Sequence, residues 1–336
     1  MRELARVVCV SVVILLLLLA GFIPGAERAF AADQPIKLKI LASWAANFLY
    51  TDQWLIPLTQ KLNQRSGGRL QVTWVGPEAV APFEQFKTVS AGLFDILFTS
   101  PEYHMGEVPV GASMVLLRGT PKARRAAGFV DILDEAYKKA NVRLLGFCSC
   151  AMGYHLILKK ELTKADLTGL KIRTTPFYDP MVATLGGATL RTGPGEVYSA
   201  LEKGVADGAI YPVVPTLDFK LHEVTKFQVR PQVGELIEFL LVNLDSWNKL
   251  PKDLQTLITQ TVQEVEEEGY KDLTVKGKAS EDKLVASGLR LNPLSPAEAE
   301  KYEKAFYGPI MEEMIVKRSP DFGPRMKKAA DTYKGK

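Results

Sequence analysis

GLKIRTTPFYDP, residues 169–180, carries the pattern on which the fold is read. Leu170-Lys171-Ile172-Arg173 alternates apolar and charged residues, as a half-buried strand does. Thr174-Thr175-Pro176 then ends it. Arg173 is thereby held at the C-terminal end of a strand, ahead of a loop rich in hydroxyls and aromatics. In open α/β sheets, ligands bind at that end of the strands.

Strand and helix patterns alternate outward from this stretch. Upstream, Lys37–Leu41 reads as a first strand and Tyr50–Gln64 as a helix with Trp54, Leu55, Leu58 and Leu62 on one face. Leu70–Val75 reads as a strand, FEQFKTVSAG as a short helix stopped at Gly92, and FDILFTS as a buried strand. Such an order predicts an α/β lobe with a parallel sheet. Pro121–Ala140 reads as one helix and Val142–Phe147 as the next strand. After Arg173, a second α/β pattern follows: helix Asp179–Leu185, a short strand before Gly193-Pro194-Gly195, helix Glu196–Lys203 and a strand in DGAIYP. The apolar run Leu236–Asn243 reads as a strand returning to the first lobe. Pro251 to about Ser287 is nearly all helix, and Ser295-Pro296-Ala297-Glu298 is a capping box that opens a final amphipathic helix. The expected fold is therefore α/β, of the periplasmic binding protein type, with two lobes joined by a multi-strand hinge and long C-terminal helices. Approximate boundaries are 32–150 and 237–275 for lobe I, and 151–236 and 276–336 for lobe II. Such a hinge permits closure around a ligand.

The first residues read as an export signal. Arg2 and Arg6 precede the apolar run Val7–Ala20, and Ala29-Phe30-Ala31 fits the small-x-small cleavage rule, which gives a signal peptide over 1–31. The run is shorter than the roughly 20 residues of a spanning helix. Charge is nearly balanced, with 42 Lys+Arg against 38 Asp+Glu and no dense basic run, which gives no sign of nucleic-acid binding. Cys148 and Cys150 remain after export. Two apart on a strand, they point the same way and are poorly placed to bridge.

Catalytic signatures are absent from the sequence. His104, His155 and His222 lack zinc spacing, and there is no G-x-S-x-G elbow, P-loop or dinucleotide fingerprint. The carboxylates Glu264–Glu268 lie on a helical stretch and read as a solvated face. An exported two-lobe α/β chain without such signatures favours binding over catalysis.

The segments RSGGRLQVTW, FEQFKTVSAGLFDI, LTKADLTGLKIRT and GEVYSALEKGVADG, in this order and at these separations, resemble the solute-binding proteins of tripartite ATP-independent periplasmic (TRAP) transporters. The resemblance covers most of the mature chain. It implies a periplasmic receptor, not an enzyme, that delivers a small organic anion to the small and large membrane permease subunits. In that family the arginine closing GLKIR forms a salt bridge with the ligand carboxylate, and Arg173 matches it. A planar guanidinium offers the paired donors such a contact needs. From spacing alone, pairing of Arg173 with a protein carboxylate such as Asp179 is the favoured reading, and it is the motif that turns Arg173 toward a ligand. A sensor of the same fold, or an exported hydrolase or lyase, are the rival functions.

Departures from the family pattern point to the ligand. Gly153-Tyr154-His155 stands where many relatives have Gly-x-Arg, so one cation is missing. Thr175-Pro176-Phe177 replaces a segment that often holds asparagine, and DGAIY replaces DGQEN, so that Ile210 and Tyr211 stand for glutamate and asparagine. Some keto-acid and lactate binders of the family hold a metal through a glutamate-aromatic pair at this point. Ile210 cannot be such a ligand, so neither metal nor other cofactor is expected. Tyr154, His155, Phe177 and Tyr211 are expected to line the site with Arg173, giving a pocket suited to a monocarboxylate with an apolar or aromatic body. Asn47 and Phe48, in the loop after the first strand, and Tyr103, after the strand ending at Thr99, are expected to face the cleft from the first lobe.

Overall fold

The structure, a computed structural model, describes residues 34–333. The expected signal peptide over 1–31 lies outside the described residues. In chain order the elements that frame the site are β1 (Ile36–Ala42), α1 (Ile56–Arg65), β2 (Leu70–Val75), α2 (Gln85–Ser90), β3 (Ile96–Thr99), α3 (Pro121–Ala126), α4 (Phe129–Lys138), β4 (Val142–Cys150) and β5 (Tyr154–Leu158). There follow β6 (Lys171–Thr174), α5 (Asp179–Thr184), β7 (Ala188–Arg191), α6 (Val197–Glu202), β8 (Gly208–Pro212), α7 (Val213–Asp218), β9 (Phe227–Arg230), β10 (Leu236–Asn243), α8 (Lys252–Ala286), β11 (Arg290–Pro293), α9 (Pro296–Pro309) and α10 (Gly323–Thr332).

The strands form two sheets. One has the order β2-β1-β3-β10-β4 and the other β11-β9-β5-β8-β6-β7. The first sheet is mixed rather than parallel. β1 and β3 are parallel, but the returning β10 inserts antiparallel between β3 and β4. All eight residues of β10 are buried, which explains a run with almost no polar alternation. β9 and β11, four residues each, have no counterpart in the sequence reading. Their parallel pairing supplies the edge of the second sheet.

The helix expected over Pro121–Ala140 is divided into α3 and α4. Gly128 has φ of +78°, a left-handed conformation that glycine adopts at no steric cost and that ends one helix before the next begins. Ser295 caps α9, its hydroxyl accepting from the Glu298 N–H at 3.4 Å, while the Glu298 carboxylate accepts from the Ala165 N–H at 2.6 Å; α9 is not the final helix. A wide turn over Ile310–Val316 and then α10 follow. The turn packs on the Pro109–Ala112 turn, and α10 packs on α4. Ile315, Phe322 and Met326 share a buried apolar cluster with Phe129 and Val130. Burial of these side chains packs α10 on α4, which in turn packs on β4 of the first sheet.

Two strand crossings join the sheets. β4 runs into β5 through Ala151–Gly153, and β9 runs into β10 through Pro231–Glu235. The crossings pair with each other: Tyr154 and Val233 exchange backbone hydrogen bonds at 2.9 Å, and the Leu236 N–H donates to the Met152 carbonyl at 2.9 Å. α8, 35 residues long, packs on both β4 and α7 and so spans the junction. Glu266 of α8 accepts from the Phe147 N–H at 2.8 Å and from both Nε and Nη2 of Arg125 in α3, at 2.9 and 2.6 Å. Arg124, fully buried, reaches Glu235 in the second crossing at 2.5 Å. Cys148 and Cys150 are buried free thiols.

Candidate ligand-binding site

A cavity of about 60 Å³ lies where the ends of β1, β3, β6 and β8 meet the crossing strands. At about 10–15 Å³ per water-sized probe, it accommodates a handful of waters or one small molecule. The loop after β1 contributes Trp44, Phe48 and Tyr50, and the turn after β3 contributes Ser100, Glu102 and Tyr103. Facing them are Arg173 and Thr175 at the end of β6, Ile210 and Tyr211 at the end of β8, and Tyr154 at the start of β5. Tyr178, Pro194, Pro212, Pro215 and Phe219 also lie on that side, and Leu236 and Glu238 of β10 form part of the floor.

Arg173 is 4% exposed. Its Nη2 donates to the Thr192 carbonyl at 2.8 Å, and its guanidinium lies 5.3 Å from the centre of the Tyr211 ring. Its Nε is buried without a hydrogen-bond partner. Among the described residues no carboxylate lies within salt-bridge distance of it. Asp179, the rival partner read from sequence, is paired with Arg191 instead.

The aromatic walls are in mutual contact. Trp44 stacks on Phe48 with ring centroids 5.5 Å apart and lies 6.0 Å from Tyr103. Phe48 approaches Phe219 at 6.4 Å, and Phe219 meets Tyr211 edge-on at 6.2 Å. Rings carried by the first lobe therefore touch rings carried by the second.

The two carboxyl groups were not anticipated. Glu102 accepts from the Thr175 hydroxyl at 3.0 Å and from the Tyr178 hydroxyl at 2.9 Å, which links the turn after β3 to the loop after β6. Burial pushes its carboxyl up to about 7, although those two hydrogen bonds and the Arg173 charge oppose the rise. Glu238 is driven well above the usual carboxylate range, first by burial and then by the nearby Glu102 charge. Its Oε2 is buried with no hydrogen-bond partner among the described residues. A signal for Glu238 did exist in the sequence: it is the one charged residue in the apolar run LIEFLLVN. Glu102 had no comparable signal beyond its place beside Tyr103.

Of the residues singled out from sequence, Arg173, Tyr211, Tyr154, Phe48 and Tyr103 lie around this cavity. Three do not. Phe177 is fully buried against Tyr178 and Phe306, with centroids at 5.0 and 6.4 Å. The tight 3-10 turn Pro176–Tyr178 sends neighbouring side chains to different sides, so Tyr178 faces the cavity and Phe177 the core. His155 follows Tyr154 on β5 and takes the opposite direction, as strand alternation requires. Its ring is fully buried, and its pKa is pushed down to about 3 by burial and then by the Arg230 charge, so it is neutral and supplies no cation. Asn47 is exposed at the tip of a turn closed by the Phe48 N–H on the Ala45 carbonyl at 3.0 Å. Ile210 lines the cavity with an apolar side chain, and among the described residues no cluster of three or more His, Cys, Asp or Glu is placed to hold a metal ion. No helix among the described residues is long and apolar enough to cross a membrane.

Residues 43–317 match the sequence model of a family described as bacterial extracellular solute-binding protein, family 7. Over 275 residues the chain is 26% identical to a monocarboxylate 2-oxoacid-binding periplasmic protein of Nostoc sp., covering 77% of this chain and 74% of that one. Among solved structures it resembles a TRAP periplasmic solute-binding protein from Desulfovibrio salexigens with bound orotic acid. The TM-score is 0.79 at 18% identity, over 88% of this chain and 97% of that one. A TRAP solute-binding protein from a marine metagenome, in complex with pyroglutamate, gives a TM-score of 0.77 at 18% identity, over 89% and 99%.

Proposed function

The chain belongs to the family 7 bacterial extracellular solute-binding proteins, and from that premise we propose that it is the periplasmic receptor of a TRAP transporter for a small monocarboxylate with an apolar or aromatic body. The ligand carboxylate sits on Arg173, and the loaded receptor docks on the small and large permease subunits. Arg173 carries this reading. A guanidinium almost wholly removed from water, with an unused donor and no protein carboxylate, is incomplete as it stands. Buried charges are ordinarily paired. A ligand carboxylate supplies the missing partner in the bidentate geometry that arginine favours. The surrounding rings and the apolar Ile210 suit a compact body without a second carboxylate, because Arg173 is the sole cation around the cavity among the described residues. The Nostoc relative, whose name records binding of monocarboxylate 2-oxoacids, supports the same ligand size and charge.

Titration calorimetry with a panel of short monocarboxylates and dicarboxylates tests this reading. Arg173→Ala is expected to weaken binding at least about a hundredfold, about 3 kcal/mol, with the circular dichroism spectrum unchanged. Arg173→Lys is expected to lose most of the same affinity, since an ammonium lacks the paired donors. Unchanged affinity in the alanine variant refutes the assignment.

A further inference from the structure

We propose that the ligand is a zwitterion, a monocarboxylate that also carries a protonated amine, with its carboxylate on Arg173 and its ammonium at Glu238. The proposal rests on the receptor reading above and specifies its ligand class. Three observations support it, beginning with the open acceptor. Glu238 is 3% exposed, it lies on the cavity floor, and its Oε2 has no hydrogen-bond partner among the described residues. Both oxygens of Glu102, by contrast, are already taken by Thr175 and Tyr178. An unfilled position at Glu238 is therefore the counterpart of the unfilled donor on Arg173.

The second observation concerns charge. Arg173, Glu102 and Glu238 are the cation and the two carboxyl groups that line the cavity. A plain carboxylate pairs with Arg173 and leaves the Glu238 carboxyl as it stands without ligand. A zwitterion carries no net charge into a space shielded from water, where unpaired charge is costly, and its ammonium meets Glu238 once that carboxyl has given up its proton.

Third, the loop after β1 and the turn after β3 line the cavity with the rings of Trp44, Phe48, Tyr50 and Tyr103. Tyr50, Tyr103 and Glu238 line the same cavity. Aromatic faces attract cations and repel anions. A carboxyl group that lines a cavity together with aromatic rings thus suits an ammonium, and the same rings accept the hydrocarbon that joins the ligand's two charges.

The experiment is calorimetry with sets of acids sharing one carbon skeleton. The probes are L-valine against 3-methyl-2-oxobutanoate, 2-hydroxy-3-methylbutanoate and 3-methylbutanoate, and 4-aminobutanoate against 4-hydroxybutanoate and butanoate. In the wild-type protein, the amine of at least one set is expected to bind about tenfold or more tighter than its partners. Glu238→Gln, with folding checked by melting temperature, is expected to bring the members of that set to within about threefold of one another. If Glu238→Gln fails to fold, the wild-type ranking decides. Tightest binding of the oxo, hydroxy or unsubstituted acids, or an amine preference that survives Glu238→Gln, overturns the proposal. Acids that bind through Arg173 while no amine does leave the receptor reading standing and remove this one. Binding by no member of either set counts against both.

Discussion

Glu102→Gln offers a direct measurement of how strongly the closed cleft constrains its acid groups. A carboxyl whose pKa rises from its ordinary value near 4.5 to about 7 binds more proton in the folded state than in the unfolded one. The slope of unfolding free energy against pH follows the difference in bound protons, unfolded minus folded, and is negative here. Stability from this group is therefore greatest below the ordinary value, falls as pH rises through the window from about 4.5 to about 7, and is flat above it. At 1.36 kcal/mol per unit of pKa, a rise of that size corresponds to about 3 kcal/mol. For a chain of about 300 residues, unfolding entropy near 2.1 cal/mol/K per residue converts this to about 5 °C of melting temperature.

The assay is thermal unfolding of the wild-type and Glu102→Gln proteins at intervals from pH 4 to 8, without ligand. Gln cannot titrate, so the wild-type-minus-variant difference isolates Glu102 and its influence on its neighbours. The difference is expected to shift against the wild type by about 5 °C across the window. Glu238 contributes in the same direction, because the Glu102 charge is one cause of its own raised value. A difference that rises with pH refutes the reasoning. It would mean that Arg173 and the hydroxyls of Thr175 and Tyr178 outweigh burial, so that Glu102 behaves as an ordinary paired carboxylate.

Two other substitutions separate packing from recognition. Phe177→Ala removes a fully buried ring that lies outside the cavity, and is expected to cost about 3–5 kcal/mol of stability while leaving ligand affinity within about threefold; a selective loss of affinity would return Phe177 to the binding site. Glu235→Ala leaves the buried Arg124 guanidinium without its charged partner and is expected to cost about 3–5 kcal/mol in chemical unfolding, and a loss below about 1 kcal/mol would show that the Leu117 carbonyl, which also accepts from Arg124 at 2.6 Å, suffices alone.

The sequence made the fold legible where one physical signal dominated. Leu236–Asn243 was readable as a buried returning strand from its apolar content, and Lys252–Ala286 as a long helix from its periodic stripe. Antiparallel insertion of β10 was not readable, because strand direction depends on the crossing that precedes it and not on the strand's own residues. The four-residue strands β9 and β11 are too short for alternation to stand out. At the site, Arg173 was legible through motif and strand end together. Phe177 and Tyr178 were not separable, since a one-residue difference in a 3-10 turn decides which of two adjacent aromatics meets the cavity. The Glu102 clasp joins residues more than 70 positions apart, and nothing local announces such a pairing.

Glu102 joins the two sides of the cavity and also takes part in its electrostatics. Glu102 ties the turn after β3 to the loop after β6 through two hydroxyls, and the loop it grips begins one residue after the strand that ends Arg173-Thr174. In this arrangement Glu102 lies under the influence of Arg173, whose positive charge opposes the rise in its pKa. A ligand carboxylate on Arg173 offsets that charge and favours protonation of Glu102. An ammonium at Glu238 has the opposite effect on both acids. On the proposed binding mode, ligand charge and proton binding are therefore coupled through one arginine and two glutamates: the ligand carboxylate favours the protonated acids and the ammonium their ionised forms.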